Sequence, residues 1–412
     1  MSRQATRELV FDWNTLSGIP ERPPGLVQVD DETLRDGLQS ASCRQPGLDE
    51  KAELLRLMPR VGIASADLGL PGAGPGVAAD VEALCRLIVD EGLALEPNCA
   101  ARTVEEDIVP ILEIQQRVGV QLEIMLFMGS SPLRAHIEGW DPMDLLARTV
   151  WFVTFATGRG ARVTFVTEDT SRSHPDDLRT FYQEAVRSGA SRVCVADTAG
   201  FATPPGAFRL VEFVREVVRE AGGSEIGIDW HGHNDRGLAV ANALAAALAG
   251  ADRLHGTALG VGERTGNPAM EQLLANLKLL QWWDNDLSGL PEYVAAAGRL
   301  LGREIPPGSP VVGSDAFRTS TGVHAAAILK AWSSGDDELA DMVYSSIPAS
   351  WLGKRQRIDI GPMSGISNVR AWLRLRGLEA DPETVHRVLA LAKGADRVLK
   401  DEEILSVMAG IP

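Results

Sequence analysis

The chain has 412 residues and only four cysteines, Cys43, Cys85, Cys99 and Cys194, with no Cys-x-x-Cys pair among them. That excludes a disulfide scaffold or a thiolate zinc ribbon and fits a reducing, cytoplasmic setting. Cationic runs are also scarce. Lys and Arg number 40 against 56 Asp and Glu, a net charge of -16, and the longest basic cluster is Lys354-Arg355-Gln356-Arg357. Binding nucleic acid needs clustered cations, so no such partner is expected, and the short cluster reads as a solvated loop. Long apolar runs are missing as well. Residues 1–14 contain no continuous apolar stretch of the secretory kind, and the most apolar run, 238–251, is Ala-rich and too short to cross a bilayer. That run reads as a packed helix, with no membrane contact expected. Cys194 lies in an apolar strand pattern and reads as a small buried residue rather than a nucleophile.

What the chain does have is rhythm. Hydrophobic content of 45% and charged content of 23% are ordinary globular values. After a leader, residues 1–25, short apolar runs alternate with amphipathic stretches. Strands are expected at 26–30, 63–68, 93–96, 122–127, 162–166, 192–196, 226–231 and 253–257, with helices between them at 49–58, 104–116, 175–187, 205–221 and 238–248. Eight β-then-α units predict an α/β fold, a (β/α)8 TIM barrel over residues 26–300, whose usual size is about 250 residues. The rhythm breaks after Trp282-Trp283, and the Pro/Gly-rich stretch from Arg303 to Gly308 marks a domain end. Residues 301–412 then form a linker and C-terminal helical subdomains, with helices near 323–332, 367–376 and 382–393 that serve the barrel's site.

The chemistry-bearing residues fall at expected strand ends. His231 and His233 stand two apart in Ile228-Asp229-Trp230-His231-Gly232-His233-Asn234-Asp235, and residues i and i+2 of a strand face the same way. The first strand runs into Asp30-Asp31-Glu32-Thr33-Leu34-Arg35-Asp36-Gly37-Leu38-Gln39, the fifth into Thr167-Glu168-Asp169, and the eighth into Gly260-Val261-Gly262-Glu263-Arg264-Thr265-Gly266-Asn267. In a barrel these loops open on one face, so an Asp, two His and an amide oxygen can meet around an octahedral or five-coordinate divalent ion. Simpler readings exist for parts of the set: Arg35 paired with Asp31 or Glu32, Glu263 paired with Arg264, and His324 as a satisfied core histidine.

Three of these segments, Thr33 to Gln39, His231 to Asp235 and Gly262 to Asn267, resemble the signatures of the DRE-TIM metallolyases. Within that family the chain is most similar to the acyl-CoA-condensing synthases, those making isopropylmalate, homocitrate, citramalate and citrate of the Re type. Phe317-Arg318-Thr319-Ser320-Thr321-Gly322-Val323-His324 resembles their subdomain motif. The resemblance implies a (β/α)8 barrel that condenses acetyl-CoA with a 2-oxo acid and hydrolyses the thioester, an acyltransferase activity. It implies Asp36, His231 and His233 as ligands of a divalent ion such as Mg, Mn, Zn or Co, with Asn267 as a weaker ligand or a neighbour. Arg35, Gln39, Thr198 and Asn267 would bind substrate. Arg35, Glu168, His324 and Tyr344 would be catalytic, the last two reaching the partner chain's site in a homodimer.

Departures from the family's patterns narrow the branch. The lyase branch uses a cysteine in the loop after the eighth strand, and no cysteine follows Cys194. Biotin-dependent carboxyltransferases need a lysine near the metal, and none occurs between Lys51 and Lys278. Met125 stands where isopropylmalate synthases carry a histidine, Ala100 where they carry a bulky selector, and Asp67 where a glutamate is common. Arg318 to Ala327 and Ile360 to Gly365 are more similar to the citrate- and phosphonomethylmalate-type branch, which is favoured slightly. A noncatalytic barrel that binds a metal and an acid is the rival from another class.

Overall fold

The computed structural model describes residues 22–223 and 225–410, so the expected leader lies, up to residue 21, outside the described residues. Two compact units divide them, 22–304 and 305–410. The first runs β1 (Gln28–Asp31), α1 (Leu48–Leu57), β2 (Ser65–Asp67), α2 (Pro75–Glu91), β3 (Glu96–Arg102), α3 (Glu105–Val118), β4 (Glu123–Gly129), α4 (Pro132–Glu138), α5 (Pro142–Thr157) and β5 (Val163–Glu168). It continues with α6 (Pro175–Arg187), β6 (Arg192–Asp197), α7 (Pro204–Glu220), β7 (Gly227–Gly232), α8 (Ala239–Ala249), β8 (Arg253–Gly256), α9 (Met270–Leu279) and α10 (Leu290–Leu301). The strands form a closed parallel barrel in chain order, β8 returning to β1 with Gln28 against Arg253 and Asp31 against Gly256.

Local chemistry sets the helix starts. On α7, Pro204 fills the first turn, where no N–H is needed, and the Thr203 side chain accepts from Gly206 N. Val211, Val214, Val217 and Val218 recur at helical spacing and bury one face of that helix. The Ala-rich run 238–251 is likewise a packed helix, α8, with Ala243, Ala246 and Ala247 fully buried. The third strand departs from expectation. Leu93 closes the end of α2 by donating to Ile88 O, so the apolar residues near 93–95 belong to a turn and the strand begins at Glu96. Its buried run Pro97-Asn98-Cys99-Ala100-Ala101 is made of small residues broken by one polar side chain, a pattern weaker to the eye than Leu-rich alternation.

Inward-facing residues alternate along every strand, and near β1, β7 and β8 they are charged. Asp30 and Glu32, Asp229 and His231, and Arg253 and His255 follow the period of two, with Asp30 level with His255 and Asp229 level with Arg253. Arg253, 2% exposed, donates to Asp229 Oδ2 at 2.9 Å through Nε and to Glu123 at 2.7 and 3.2 Å through its other nitrogens. Arg192 Nε adds 2.8 Å to Asp229 Oδ1, and Thr164 donates to Glu123. A barrel interior is usually filled by branched aliphatics; this one is held by ion pairs whose charges are nearly all partnered.

The second unit pairs β9 (Arg318–Thr319) in parallel with a later strand and carries α11 (Gly322–Ser333) and α12 (Asp337–Met342), then that partner, β10 (Arg357–Ile358), and α13 (Ile366–Leu375), α14 (Pro382–Gly394) and α15 (Asp401–Met408). Trp372, Leu373, Val388 and Ile404 anchor one buried cluster, and Ala325, Ile328, Ile358 and Ala371 another. Among the described residues no helix is long and apolar enough to cross a membrane.

Two stability predictions follow from buried charge. Arg253→Met leaves Glu123 and Asp229 buried without their shared cation, and should cost about 3–5 kcal/mol in denaturant unfolding; a loss under about 1 kcal/mol would show that the ion cluster does not hold the barrel. Glu271 on α9 is buried with no cation beside it among the described residues, accepting from backbone N–H groups such as Leu259 N at 3.0 Å, and burial raises its carboxyl to about 7. Because that folded value lies above the unfolded one, stability is lost as pH rises from the ordinary glutamate range through about 7. Glu271→Gln should therefore be neutral at pH 4 and raise the melting temperature at pH 8, by about 2 kcal/mol of stability; a gap independent of pH would contradict it.

Candidate metal and substrate site

The carboxyl ends of the strands gather the expected residues. β7 carries His231 inward and leaves His233 one residue beyond its end, with Trp230 turned outward and fully buried. His231 Nε2 and His233 Nε2 are 3.3 Å apart, and Asp36 Oδ2 lies 3.7 and 3.6 Å from them. All three residues are buried. Three electron-rich atoms at these separations leave a point about 2 Å from each, the length of a bond from nitrogen or oxygen to a divalent ion. Burial lowers His233 to about 4, so its ring is neutral and has a lone pair to offer. Burial works most strongly against charge on Asp36, but Arg35 together with the two histidines outweighs it and holds that carboxyl below its usual range. The donor set fits a divalent ion.

Asn267 joins this cluster from the β8 loop, donating Nδ2 to Asp36 Oδ2 at 2.8 Å and to Gly232 O at 3.3 Å. It steadies Asp36, while its own Oδ1 is buried without a partner. Gly262, at φ 149°, makes room for that amide, since a Cβ there would sit 2.0 Å from Asn267 Oδ1. The loop's brace is Arg264 to Asp235, at 2.8 and 2.9 Å, rather than Glu263 to Arg264, and Arg264 also donates to Thr198 O at 2.6 Å. Thr198 Oγ1 accepts from Asp169 N at 2.8 Å.

Arg35 is held by three carboxylates: Asp67 Oδ2 at 2.7 Å, Glu32 Oε1 at 2.8 Å and Asp36 Oδ1 at 3.2 Å. The expected pairing with Glu32 is present, together with two partners that spacing along the chain did not show. Glu168 ends β5 and pairs with Arg134 of α4. Burial raises the Glu168 carboxyl, and the Arg134 charge works against that rise. One cavity of about 240 Å³ takes in Arg35, Asp36, Gln39, Glu168, Thr198, His231 and His233. Leu70, Ala100, Met125, Phe127, Val166 and Ala196 supply its apolar lining. His324 and Tyr344 lie in the second unit, where their rings stack 3.8 Å apart at 24° and His324 Nδ1 is 3.4 Å from Thr319 Oγ1.

Three residues near the cluster were not expected as site members: Glu32, His255 and Arg134. The first two had a readable signal, since acid and base recur at every second position of β1, β7 and β8. Arg134 had none, because nothing along the chain links it to Glu168. All four cysteines are free, and burial pushes the Cys194 thiol well above its usual range, in keeping with an inert residue.

Comparison with known proteins places this barrel. The sequence model of the HMGL-like family matches residues 26–291. A homocitrate synthase AksA of Methanopyrus kandleri is 32% identical over 377 residues, covering 90% of this chain and 88% of that protein. A 2-isopropylmalate synthase of Solidesulfovibrio magneticus is 32% identical over 388 residues, covering 92% and 72%. An (R)-citramalate synthase CimA of Methanocaldococcus jannaschii is 28% identical over 393 residues, covering 93% and 74%. In structure, a hydroxymethylglutaryl-CoA lyase of Pseudomonas aeruginosa shares the fold with a TM-score of 0.57 at 22% identity, over 68% of this chain and 95% of that one. The chain belongs to the HMGL-like family, the DRE-TIM metallolyases.

Proposed function

We propose that the protein condenses acetyl-CoA with a 2-oxo acid and hydrolyses the resulting thioester, releasing CoA. The observation that carries this reading is the meeting of Asp36 Oδ2 and the two histidine Nε2 atoms beside Arg35 in one cavity. Relatives named as homocitrate, isopropylmalate and citramalate synthases support it. Asp36, His231 and His233 would hold a divalent ion, whose Lewis acidity would polarise the ketone. Asn267 steadies Asp36 and stands beside the bound acid. Arg35 has planar paired donors for the acid's carboxylate, and Gln39 and Thr198 line the same cavity.

His324 takes a proton from the acetyl methyl group, and the carbon–carbon bond forms between that methyl carbon and the ketone carbon, whose oxygen gains a proton. Imidazole suits this work because its ordinary pKa lies near working pH. Tyr344, stacked on His324, orients the ring. Glu168 relays or places a water. The two subdomain residues act in the partner's site of a homodimer. Water then cleaves the thioester, giving a carboxylate and the free thiol of CoA.

The nature of the oxo acid is read from the wall. Strands β3 to β5 stand across the closed barrel from β7, β8 and β1, and they present Ala100, Met125, Phe127 and Val166 to the cavity. The lining cations are Arg35, Arg264 and His255, and all three are held by carboxylates. A second carboxylate or phosphonate finds no uncommitted cation among these lining residues, which supports a neutral aliphatic side chain over the citrate- and phosphonomethylmalate-type acids favoured by the C-terminal motifs.

Release of CoA from acetyl-CoA, followed with a thiol reagent in the presence of a divalent ion, tests both levels of this reading. Pyruvate or 2-oxoisovalerate should outpace oxaloacetate, 2-oxoglutarate and phosphonopyruvate by about tenfold or more, the scale of one mismatched polar group. Faster turnover with the doubly charged acids would reverse the side-chain reading, and silence across the panel would sink the condensation. His233→Ala should lose ion binding and CoA release together, with the metal-free melting temperature moving by no more than about 3 °C. Full turnover in that variant would show the ligand assignment to be wrong.

A further inference from the structure

Glu32 is 1% exposed and sits between three residues with different tasks. Its Oε1 accepts from Arg35 Nη2 at 2.8 Å and faces His255 Nδ1 at 3.0 Å. Its Oε2 lies 2.7 Å from His231 Nδ1, a close contact bent from the line of a good hydrogen bond. His255 is fully buried, and its other nitrogen, Nε2, is 3.2 Å from Asp229 Oδ2. With a carboxylate at each ring nitrogen, His255 donates on both sides and is clamped between β1 and β7. Asp229 is in turn fixed by Arg253 and Arg192. Glu32 is therefore anchored from beneath by a buried ion chain. Above, it meets the ring that aims Nε2 at Asp36 and the guanidinium proposed to hold the substrate.

We propose that Glu32, locked by His255, is a positioning residue that sets the ring of His231 for ion binding and the plane of Arg35 for the oxo acid. This rests on the reading of Asp36, His231 and His233 as an ion site. A carboxylate on the far nitrogen of a metal-binding imidazole fixes its tautomer and orientation, and losing such a partner typically weakens metal affinity by about 10- to 100-fold. Here the same carboxylate also serves the arginine, so ion affinity and substrate placement share one support. Glu32→Gln keeps the side chain's length but turns a donor toward at least one of Arg35, His255 and His231.

The test is Co²⁺ titration of the metal-stripped full-length protein without substrates, read by visible absorption, alongside thermal melts. His233→Ala should lose the saturable absorption. Glu32→Gln should weaken Co²⁺ binding by about 10- to 100-fold and shift the band, and His255→Gln should weaken it by about threefold or more. Asp67→Asn, compared at a pH above 7 where burial no longer keeps that carboxyl protonated, removes a negative charge beside Arg35 without touching His231 and should stay within about threefold of the parent. If Glu32→Gln matches the parent while His233→Ala does not bind, the positioning role is overturned and the ion site stands. If Asp67→Asn weakens binding as much as Glu32→Gln, charge alone is at work and the proposal is overturned. If Glu32→Gln gives no cooperative melt, His255→Gln decides, and parental affinity there overturns the proposal. A parent that binds no Co²⁺ removes the ion site and the proposal with it.

Discussion

Everything at the open end of this barrel rests on a chain of buried ion pairs that runs from Glu123 through Arg253 and Asp229 to His255 and Glu32. Charges in a dry interior are tolerated only when each meets an opposite partner and its remaining hydrogen-bonding capacity is used. That requirement makes the chain rigid: a rotamer change at one member strands the next. Burial opposes a charge on His255, yet Glu32 and Asp229 outweigh it and raise the imidazole to about 10, so it stays a cation across the ordinary working range. By the same balance, Glu32 is held well below the usual glutamate range despite its burial, by His231, Arg35 and His255. A barrel filled with leucine and valine would be easier to stabilise, but it would offer no fixed carboxylate beneath the site.

The cavity is consequently two-sided. Its β1, β7 and β8 side presents Glu32, Asp36, His231 and His255, and its β3 to β5 side presents Ala100, Met125, Phe127 and Val166. Low polarity on the second side lowers the local dielectric and strengthens each electrostatic contact made on the first. A 2-oxo acid fits that polarity, since its carboxylate and ketone oxygens are adjacent and its side chain points away from both. Preorganised charge of this kind stabilises a developing oxyanion without reorganising at the moment of reaction.

Legibility in the sequence followed the physics of alternation and of strand ends. His231 and His233 could be paired because a period of two is fixed by the backbone, and Asp36 and Asn267 because parallel barrels open their loops to one face. The eight strands were readable where both faces are apolar, as in Val193 to Ala196 of β6. They were misplaced at β3, where Asn98 turns inward to donate to Asp30 Oδ1 at 2.7 Å and no aliphatic alternation marks the strand. Glu32 and His255 went unassigned because a charged residue inside a strand ordinarily argues for solvent. The alternation of acid and base on β1, β7 and β8 is the signal against that, and the contact between the two spans 223 positions. Partners on different elements, such as Arg134 on α4 with Glu168 at the end of β5, leave no local trace at all.

On the proposed reading, reaction and substrate are written on opposite sides of one barrel. The side that would hold the ion is cross-linked by charge, so a substitution there disturbs several partners at once and is felt through the whole ion chain. The β3 to β5 wall is joined to that chain only at its base, through Glu123, while Met125 and Phe127 above it contribute only shape and apolar surface. Swapping an aliphatic residue for another of similar volume on such a wall costs less than about 1.5 kcal/mol, whereas removing one member of a buried ion pair costs about 3–5 kcal/mol. Relatives about 30% identical bear the names of homocitrate, isopropylmalate and citramalate synthases, and this difference in cost makes the wall the place where the cavity's shape changes at least expense to the fold. On the proposed reading, changes that keep the fold fall where they would alter which acid is held and would leave intact how it is polarised.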